Sequence, residues 1–366
     1  MEPQTGEKQG PPPFVARMSQ MINDAALCLC VSLGHRLKLF DRLSQLPPSS
    51  SAQIAEAAGL NERYVREWLS ALVVGGIIEY QPPTQTEEEG KFSLPQQHAA
   101  FLTTAAKPND FSVVTQFLPL LGSVEKDILE VMKHGGGVPY TRFQGFHETM
   151  AEMSGQSTIP LLFKFTLPLA KGLAERLQSG ITVLDIGCGA GRVLLEMAEA
   201  YPQSTFVGYD FCADAIEMAR KEAERRGFSN KNVHFEVQDV TQLREGDENR
   251  FDLITAFDAI HDQVHPKLVL KAINAALKPR GTFLVQDINA SSELQKNREH
   301  PLGPFLYTIS LMHCMTVSLA GGGEGLGTMW GVEKAVKMFR EAGFEEPQVH
   351  RHPRSSMDVW FVMTKE

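Results

Sequence analysis

The chain has 366 residues, 43% hydrophobic and 22% charged; this suits about two domains at roughly 150 residues each and excludes a mainly disordered chain. Its formal net charge is −9, with 44 acids against 35 bases, which weighs against nucleic acid as a partner, because phosphate affinity comes from Lys and Arg. Its five cysteines, Cys28, Cys30, Cys188, Cys212 and Cys314, are odd in number, scattered and free of any Cys-x-x-Cys pair, so the expectation is no disulfide framework, no metal and a reducing, cytoplasmic setting.

Residues 1–13 are polar, with Pro11, Pro12 and Pro13 in a row, and predict a loose tail. They contain no apolar stretch of the kind a signal peptide needs. Residues 14–46 place Met18, Met21, Ile22, Ala25, Leu29, Leu33, Leu37 and Phe40 at helical spacing, and Pro47 and Pro48 end the pattern. Ser50 leads an Ala-rich helix that closes at Gly59. Asn61 caps a helix that ends at Gly75 and Gly76. Residues 77–80 and 91–94 predict two short strands around a polar loop. Two helices followed by a two-stranded wing make a winged-helix pattern.

A winged helix invites a DNA-binding reading. The helix that would enter a groove carries Glu62, Arg63, Arg66 and Glu67, with no net charge, and residues 1–100 hold eight bases and eleven acids. That balance favours packing or dimerisation over phosphate contacts.

Residues 95–180 predict mostly helix, interrupted by Gly-Gly-Gly-Val-Pro-Tyr at 135–140. From 181 the pattern alternates. Strands are expected at 181–186, 205–209, 233–237, 251–257, 282–287 and 357–363, and helices at 213–226, 266–277 and 331–342. Repeated strand–helix units imply an α/β fold with a parallel, Rossmann-like sheet. The apolar stretch 305–320 carries Thr308, Ser310, His313 and Thr316. It is shorter than the roughly 20 apolar residues of a membrane span. The glycine run 321–325 predicts a flexible lid hinge.

The sharpest motif is Asp185-x-Gly187-x-Gly189-x-Gly191, between a strand and a helix. Glycines let the backbone lie against a ligand, and the helix N-terminus offers free N–H groups. The dinucleotide fingerprint places its third glycine one residue later, where this chain has Arg192. An acid two places before the first glycine also suits a cationic ligand better than a pyrophosphate. Asp210 ends the second strand, where a carboxylate accepts ribose hydroxyls, and Asp239 follows the third, with Val240, where an adenine amino group can be met.

Together these residues resemble the class I S-adenosylmethionine-dependent methyltransferases: DIGCGAG, GYD and QDV look like their first three motifs, and the resemblance covers residues 181–366. A broader resemblance runs from Phe14 onward. It is to winged-helix methyltransferases, a bacterial branch of poorly defined substrate and, more distantly, the plant and animal small-molecule O-methyltransferases. It rests on GHRLKLFD at 34–41, ERYVREWL at 62–69, GGGVPY at 135–140 and FDAIHD at 257–262.

The resemblance implies S-adenosyl-L-methionine as cofactor, a small-molecule methyl acceptor, a homodimer and no membrane. It divides the chain into a tail (1–13), a dimerisation-type winged helix (14–102), a helical linker and lid (103–180) and the cofactor-binding domain (181–366). Phe146, Met150 and Ser154 recur once per turn and match a face those enzymes hold over the cofactor, where Phe211 and Phe257 are also expected. Their catalytic histidine coincides with His261 of the His261-Asp262 pair. A hydroxyl acceptor must lose its proton near the moment of attack, and histidine titrates in the right range. The carboxylate that orients that histidine is not identifiable from the sequence. Tyr140 and His313 are candidates for the acceptor pocket.

No Asn/Asp-Pro-Pro-Tyr motif follows the fourth strand and no Pro-Cys pair occurs, which argues against methylation of planar exocyclic amines and of cytosine C5. O-methylation is the leading expectation. N- or C-methylation, a cofactor-binding regulator that touches DNA, and a lapsed enzyme stay open.

Overall fold

The computed structural model describes residues 12–85, 89–228, 232–242, 244–353 and 355–365. The chain divides after Pro119 into two compact units. The division falls inside segment 103–180.

Of the expected tail, residues 1–11 lie outside the described residues, and Pro13 already opens a helix, Pro13–Arg36. The expected single helix over 14–46 is two. Lys38 adopts a left-handed conformation, φ 56°, and a second helix, Leu39–Gln45, starts beyond it. Helix Ser51–Ala58 begins with a reciprocal capping box between Ser50 and Gln53 and ends at Gly59, φ 66°. Helix Glu62–Val74 is capped by Asn61, whose side chain accepts the Arg63 amide.

The wing is the antiparallel pair β1 (Glu79–Gln81) and β2 (Lys91–Ser93). Phe40, Ile54, Trp68, Leu69 and Leu72 form the core of this unit, and the Trp68 indole donates to the Cys30 carbonyl at 2.8 Å. The long first helix leaves much apolar surface uncovered: Phe14, Ile22 and Leu33 are 73%, 65% and 54% exposed. It is long and apolar enough to cross a membrane by length and composition.

The second unit is built on a seven-stranded sheet. Its strands are β3 (Thr182–Ile186), β4 (Thr205–Asp210), β5 (Val233–Val237), β6 (Phe251–Phe257), β7 (Leu277–Ile288), β8 (Gln348–His350) and β9 (Asp358–Thr364), in the order β5-β4-β3-β6-β7-β9-β8. The first five are parallel. Strand β9 runs antiparallel to both β7 and β8, so the expected all-parallel sheet is a mixed one. Three-residue β8 gives too short a pattern to anticipate. Helices Arg192–Ala200, Ala213–Arg225, Pro266–Ala276 and Val332–Glu341 bury their apolar stripes against the sheet.

Parallel strands end together, and those ends carry the chemistry. Asp185, Asp210, the 257–262 turn and Asp287 all belong to the C-terminal edge of β3, β4, β6 and β7. The expected apolar stretch 305–320 folds as helix Gly303–Ile309, a π-turn Ser310–Cys314 and helix Met315–Ala320. The glycine run after it is not a loose hinge. Glu324 N–H donates to the Val264 carbonyl and Gly325 N–H to Ser318 Oγ, both at 3.1 Å. A Cβ at Gly323 would stand 2.4 Å from that same carbonyl, so close backbone approach is what demands glycine here.

Candidate functional site

The glycine loop turns sharply after β3. Gly187, Gly189 and Gly191 have φ of 66°, 52° and 70°, a region that favours glycine. A Cβ at Gly187 would meet Ala259, and one at Gly191 would meet the Phe235 ring, each at 2.5 Å; at Gly189 nothing lies within 4 Å. The loop is therefore clamped at its two ends and open at its middle. Asp210 fixes the opening. One carboxylate oxygen accepts the Gly189 amide at 2.9 Å and the other the Cys212 amide at 2.8 Å, leaving further lone pairs on both. Asp185 is buried and accepts the Thr255 hydroxyl at 2.7 Å; burial pushes its carboxyl up to about 7. An open glycine cradle, a pinned carboxylate beside it and the half-exposed Phe211 ring fit an adenosyl ligand with ribose hydroxyls.

Just beyond β6 the backbone turns at Asp258, a non-glycine residue at φ 52°, and delivers His261 and Asp262. His261 is buried. Its Nδ1 lies 2.8 Å from Asp287 Oδ1, and its Nε2 lies 3.3 Å from Asp262 Oδ1. Burial opposes charge on the imidazole, but Asp287 and Asp262 outweigh it and hold His261 well above its ordinary range. Burial, with Asp358 and Asp287 nearby, drives the Asp258 carboxyl well above its ordinary value. His261, Asp262 and Cys314 bring three ligand-type atoms within 4.8 Å of one another.

Over this group stands a set of rings. The Tyr140 hydroxyl donates to Asp262 Oδ2 at 2.7 Å. The Tyr140 ring meets Phe146, Phe211 and His313 edge-on at 5.8, 5.2 and 5.2 Å. Phe146 stacks on His313 at 3.8 Å. Burial lowers His313 to about 4, so it is neutral at ordinary pH, and neither ring nitrogen has a hydrogen-bond partner among the described residues.

The structure thus gathers Asp185, Gly187, Gly189, Gly191 and Asp210 on one side, and His261, Asp262, Tyr140, Phe146 and His313 on the other. Phe211 and Tyr140 link the two. Phe257 is half-buried and packs with the cluster beneath the loop. Asp239 is exposed and accepts the Thr241 amide at 2.9 Å, while Val240 packs on the core. Of the Phe146, Met150 and Ser154 face, Phe146 joins the ring set and Ser154 donates to its own helix at Ala151. Sequence reasoning missed Asp287, whose signal was an acid closing the fifth strand of the repeat. It also missed His147, whose Nε2 lies 3.1 Å from Cys212 Sγ.

Residues 177–343 match the family described as "Methyltransferase domain", and residues 25–104 the "Rv2258c-like winged HTH domain". A ubiquinone biosynthesis O-methyltransferase of Actinobacillus pleuropneumoniae is 31% identical over 131 residues, 36% of this chain and 53% of that protein. A methyltransferase of Aspergillus campestris is 37% identical over 92 residues, 25% of this chain and 26% of that protein. The chain thus spans about half the length, or less, of these curated relatives.

Among solved structures, human N-acetylserotonin methyltransferase in complex with S-adenosylmethionine aligns with a TM-score of 0.67 at 16% identity, over 98% of this chain and 99% of that one. Mitomycin 7-O-methyltransferase aligns with a TM-score of 0.66 at 16% identity, over 95% and 97%. At such identity the likeness is one of fold. The chain thus carries an S-adenosylmethionine-dependent methyltransferase domain at residues 177–343 and, before it, a winged HTH domain at residues 25–104.

Proposed function

We propose that the protein moves a methyl group from S-adenosyl-L-methionine to a hydroxyl of a small-molecule acceptor, with His261 as general base. The observation that carries this is the 2.8 Å contact between His261 Nδ1 and Asp287. It fixes the ring and turns Nε2 toward the acceptor side. The bound cofactor supplies an electrophilic methyl on its sulfonium. Gly187, Gly189 and Gly191 cradle it, and Asp210 takes the ribose. Asp239 and Val240 flank the adenine, while Phe211, Phe257, Phe146, Met150 and Ser154 border it, and Asp185 stands behind the loop.

His261 begins with Asp262 beside Nε2. The form that reacts has lost its Nε2 proton to solvent, and an acceptor hydroxyl entering there displaces Asp262 from the free Nε2 lone pair. Nε2 then takes the hydroxyl proton as the acceptor oxygen attacks. Tyr140 holds Asp262 from its other oxygen and, with His313, walls the acceptor from water. Incubating protein and a methyl-labelled cofactor with cell extract, then repeating with His261→Ala, tests the assignment. Equal labelling of the same product by the variant would remove the base role.

For the remaining parts, we take residues 14–102 as the dimerisation-type domain, and 103–180 as linker and lid before the cofactor domain at 181–366. A second copy of this chain is the expected cover for the apolar side of helix Pro13–Arg36. The DNA-binding alternative gains nothing from helix Glu62–Val74: Arg63 and Arg66 pair with Glu67 and Glu62 of the same helix. The five cysteines are all free, which suits the cytoplasm.

A further inference from the structure

The acceptor side of the site has a charge pattern that methyl transfer to a hydroxyl does not require. Asp262 and Asp287 flank one imidazole, Asp258 lies close by, and no lysine or arginine pairs with any of the three among the described residues. Buried Asp262 Oδ1 makes no hydrogen bond among the described residues and has only His261 Nε2, at 3.3 Å, beside it. His313, 1% exposed, offers two further unpartnered nitrogens and shares the Tyr140 ring with that carboxylate. A sulfonium carries positive charge but no hydrogen-bond donor, so the cofactor's methyl-bearing centre offers these atoms no hydrogen bond.

Rings and a carboxylate together suit a cation with N–H donors. Aromatic faces attract ammonium groups, and a charged donor to a carboxylate makes the stronger class of hydrogen bond. A carboxylate on the acceptor would meet like charge here. Distance adds a constraint. His261 Nε2 and Asp262 Oδ1 are 3.3 Å apart, so two ligand groups serving them must be close neighbours.

We infer that the acceptor carries a basic amine next to the hydroxyl that is methylated, and that Asp262 receives this ammonium against the rings of Tyr140, Phe146 and His313 while the hydroxyl faces His261 Nε2. This rests on the methyltransferase reading above and narrows its substrate class to amino-hydroxy compounds with the two groups a few bonds apart. The ring set favours an aromatic frame.

The test uses full-length protein saturated with S-adenosylhomocysteine and one ring with three ortho groups: 2-(aminomethyl)phenol, 2-(hydroxymethyl)phenol and 2-hydroxybenzoate, with affinities read by ligand-observed NMR. The amine should bind about tenfold or more tighter than the alcohol, and the carboxylate weakest. In Asp262→Asn, which keeps the side-chain shape, the amine and alcohol should come within about twofold of each other. An amine no better than the other two, including no binding by any of them, overturns the inference, as does an amine preference that survives Asp262→Asn. Saturation with zinc ions that blocks the wild-type protein equally with and without the amine would also overturn it, because the three ligand-type atoms would then serve a metal. Failure of S-adenosylhomocysteine to bind sinks the underlying reading instead, and calorimetry on the ligand-free protein separates that outcome.

Discussion

Asp287 closes β7 with one oxygen 2.8 Å from His261 Nδ1 and 2.7 Å from its own neighbour's amide, Ile288 N–H. It is wholly buried, so its charge reaches the imidazole with little screening. His261→Ala should lower kcat by about 10²–10⁴-fold, the usual worth of a general base. Asp287→Asn should move the rising limb of the kcat/KM pH profile to lower pH, because the carboxylate is what holds the imidazole proton. The native value stands above the unfolded one of about 6.5, so the stability that the charged ring contributes is full below about 6.5 and lost as pH rises through the raised native value. An unmoved limb in Asp287→Asn would disconnect the pair from catalysis.

Asp210 holds two loop amides and has lone pairs to spare. Asp210→Asn should weaken S-adenosylhomocysteine binding by about ten- to a hundredfold, the worth of one or two hydrogen bonds to a charged group. Asp239→Asn should cost less, since Asp239 is exposed. Calorimetry on both variants measures the difference, and equal losses would contradict the pinned-carboxylate geometry.

The two ends of the glycine loop and its middle should separate stability from binding. Gly191→Ala places a Cβ 2.5 Å from Phe235 at φ 70°, and about 1–3 kcal/mol of stability should be lost. Gly189→Ala meets no protein atom and should cost about 1–2 kcal/mol from its backbone alone, yet it should impair cofactor binding more. Urea midpoints and binding titrations on the pair check the split.

Asp185 offers a stability test with a defined sign. Its native value near 7 lies above the unfolded value of about 3.9. Between those values the folded state binds more protons, so stability falls as pH rises through the window. Asp185→Asn removes this. The variant should gain on the wild type when urea midpoints are compared at pH 4.5 and 7.5, and a constant difference across that range would contradict a buried, titrating carboxyl.

For the first unit, Ile22→Glu should shift the protein to a monomer by light scattering if the apolar side of helix Pro13–Arg36 meets a second copy. A wild type that is already monomeric, and that partitions onto lipid vesicles, would point to a membrane surface instead.

Most of the strand–helix order was legible because strands such as Val233–Val237 and Phe251–Phe257 are short, mostly apolar segments set between polar turns. The glycine loop, Asp210 and Asp239 were legible as candidates because they sit at fixed places after strands. The partner of His261 was not. Asp287 lies 26 residues away on β7, and only strand adjacency, which no local pattern encodes, brings it there. The break at Lys38 was hidden for another reason: apolar spacing continues through Leu37 and Phe40, while the backbone reverses hand between them. The glycines at 321–325 misled because composition alone cannot distinguish freedom from crowding.

Strand β9 is the latest strand in sequence, yet it lies inside the sheet, between β7 and β8. A growing chain that has made β7 therefore presents an open hydrogen-bonding edge beside Asp287 until the residues of β9 are synthesised. Asp287, the His261 partner, faces Val359 across that edge, so removing the 358–364 strand would unpair the strand that carries it without touching His261 or Asp262.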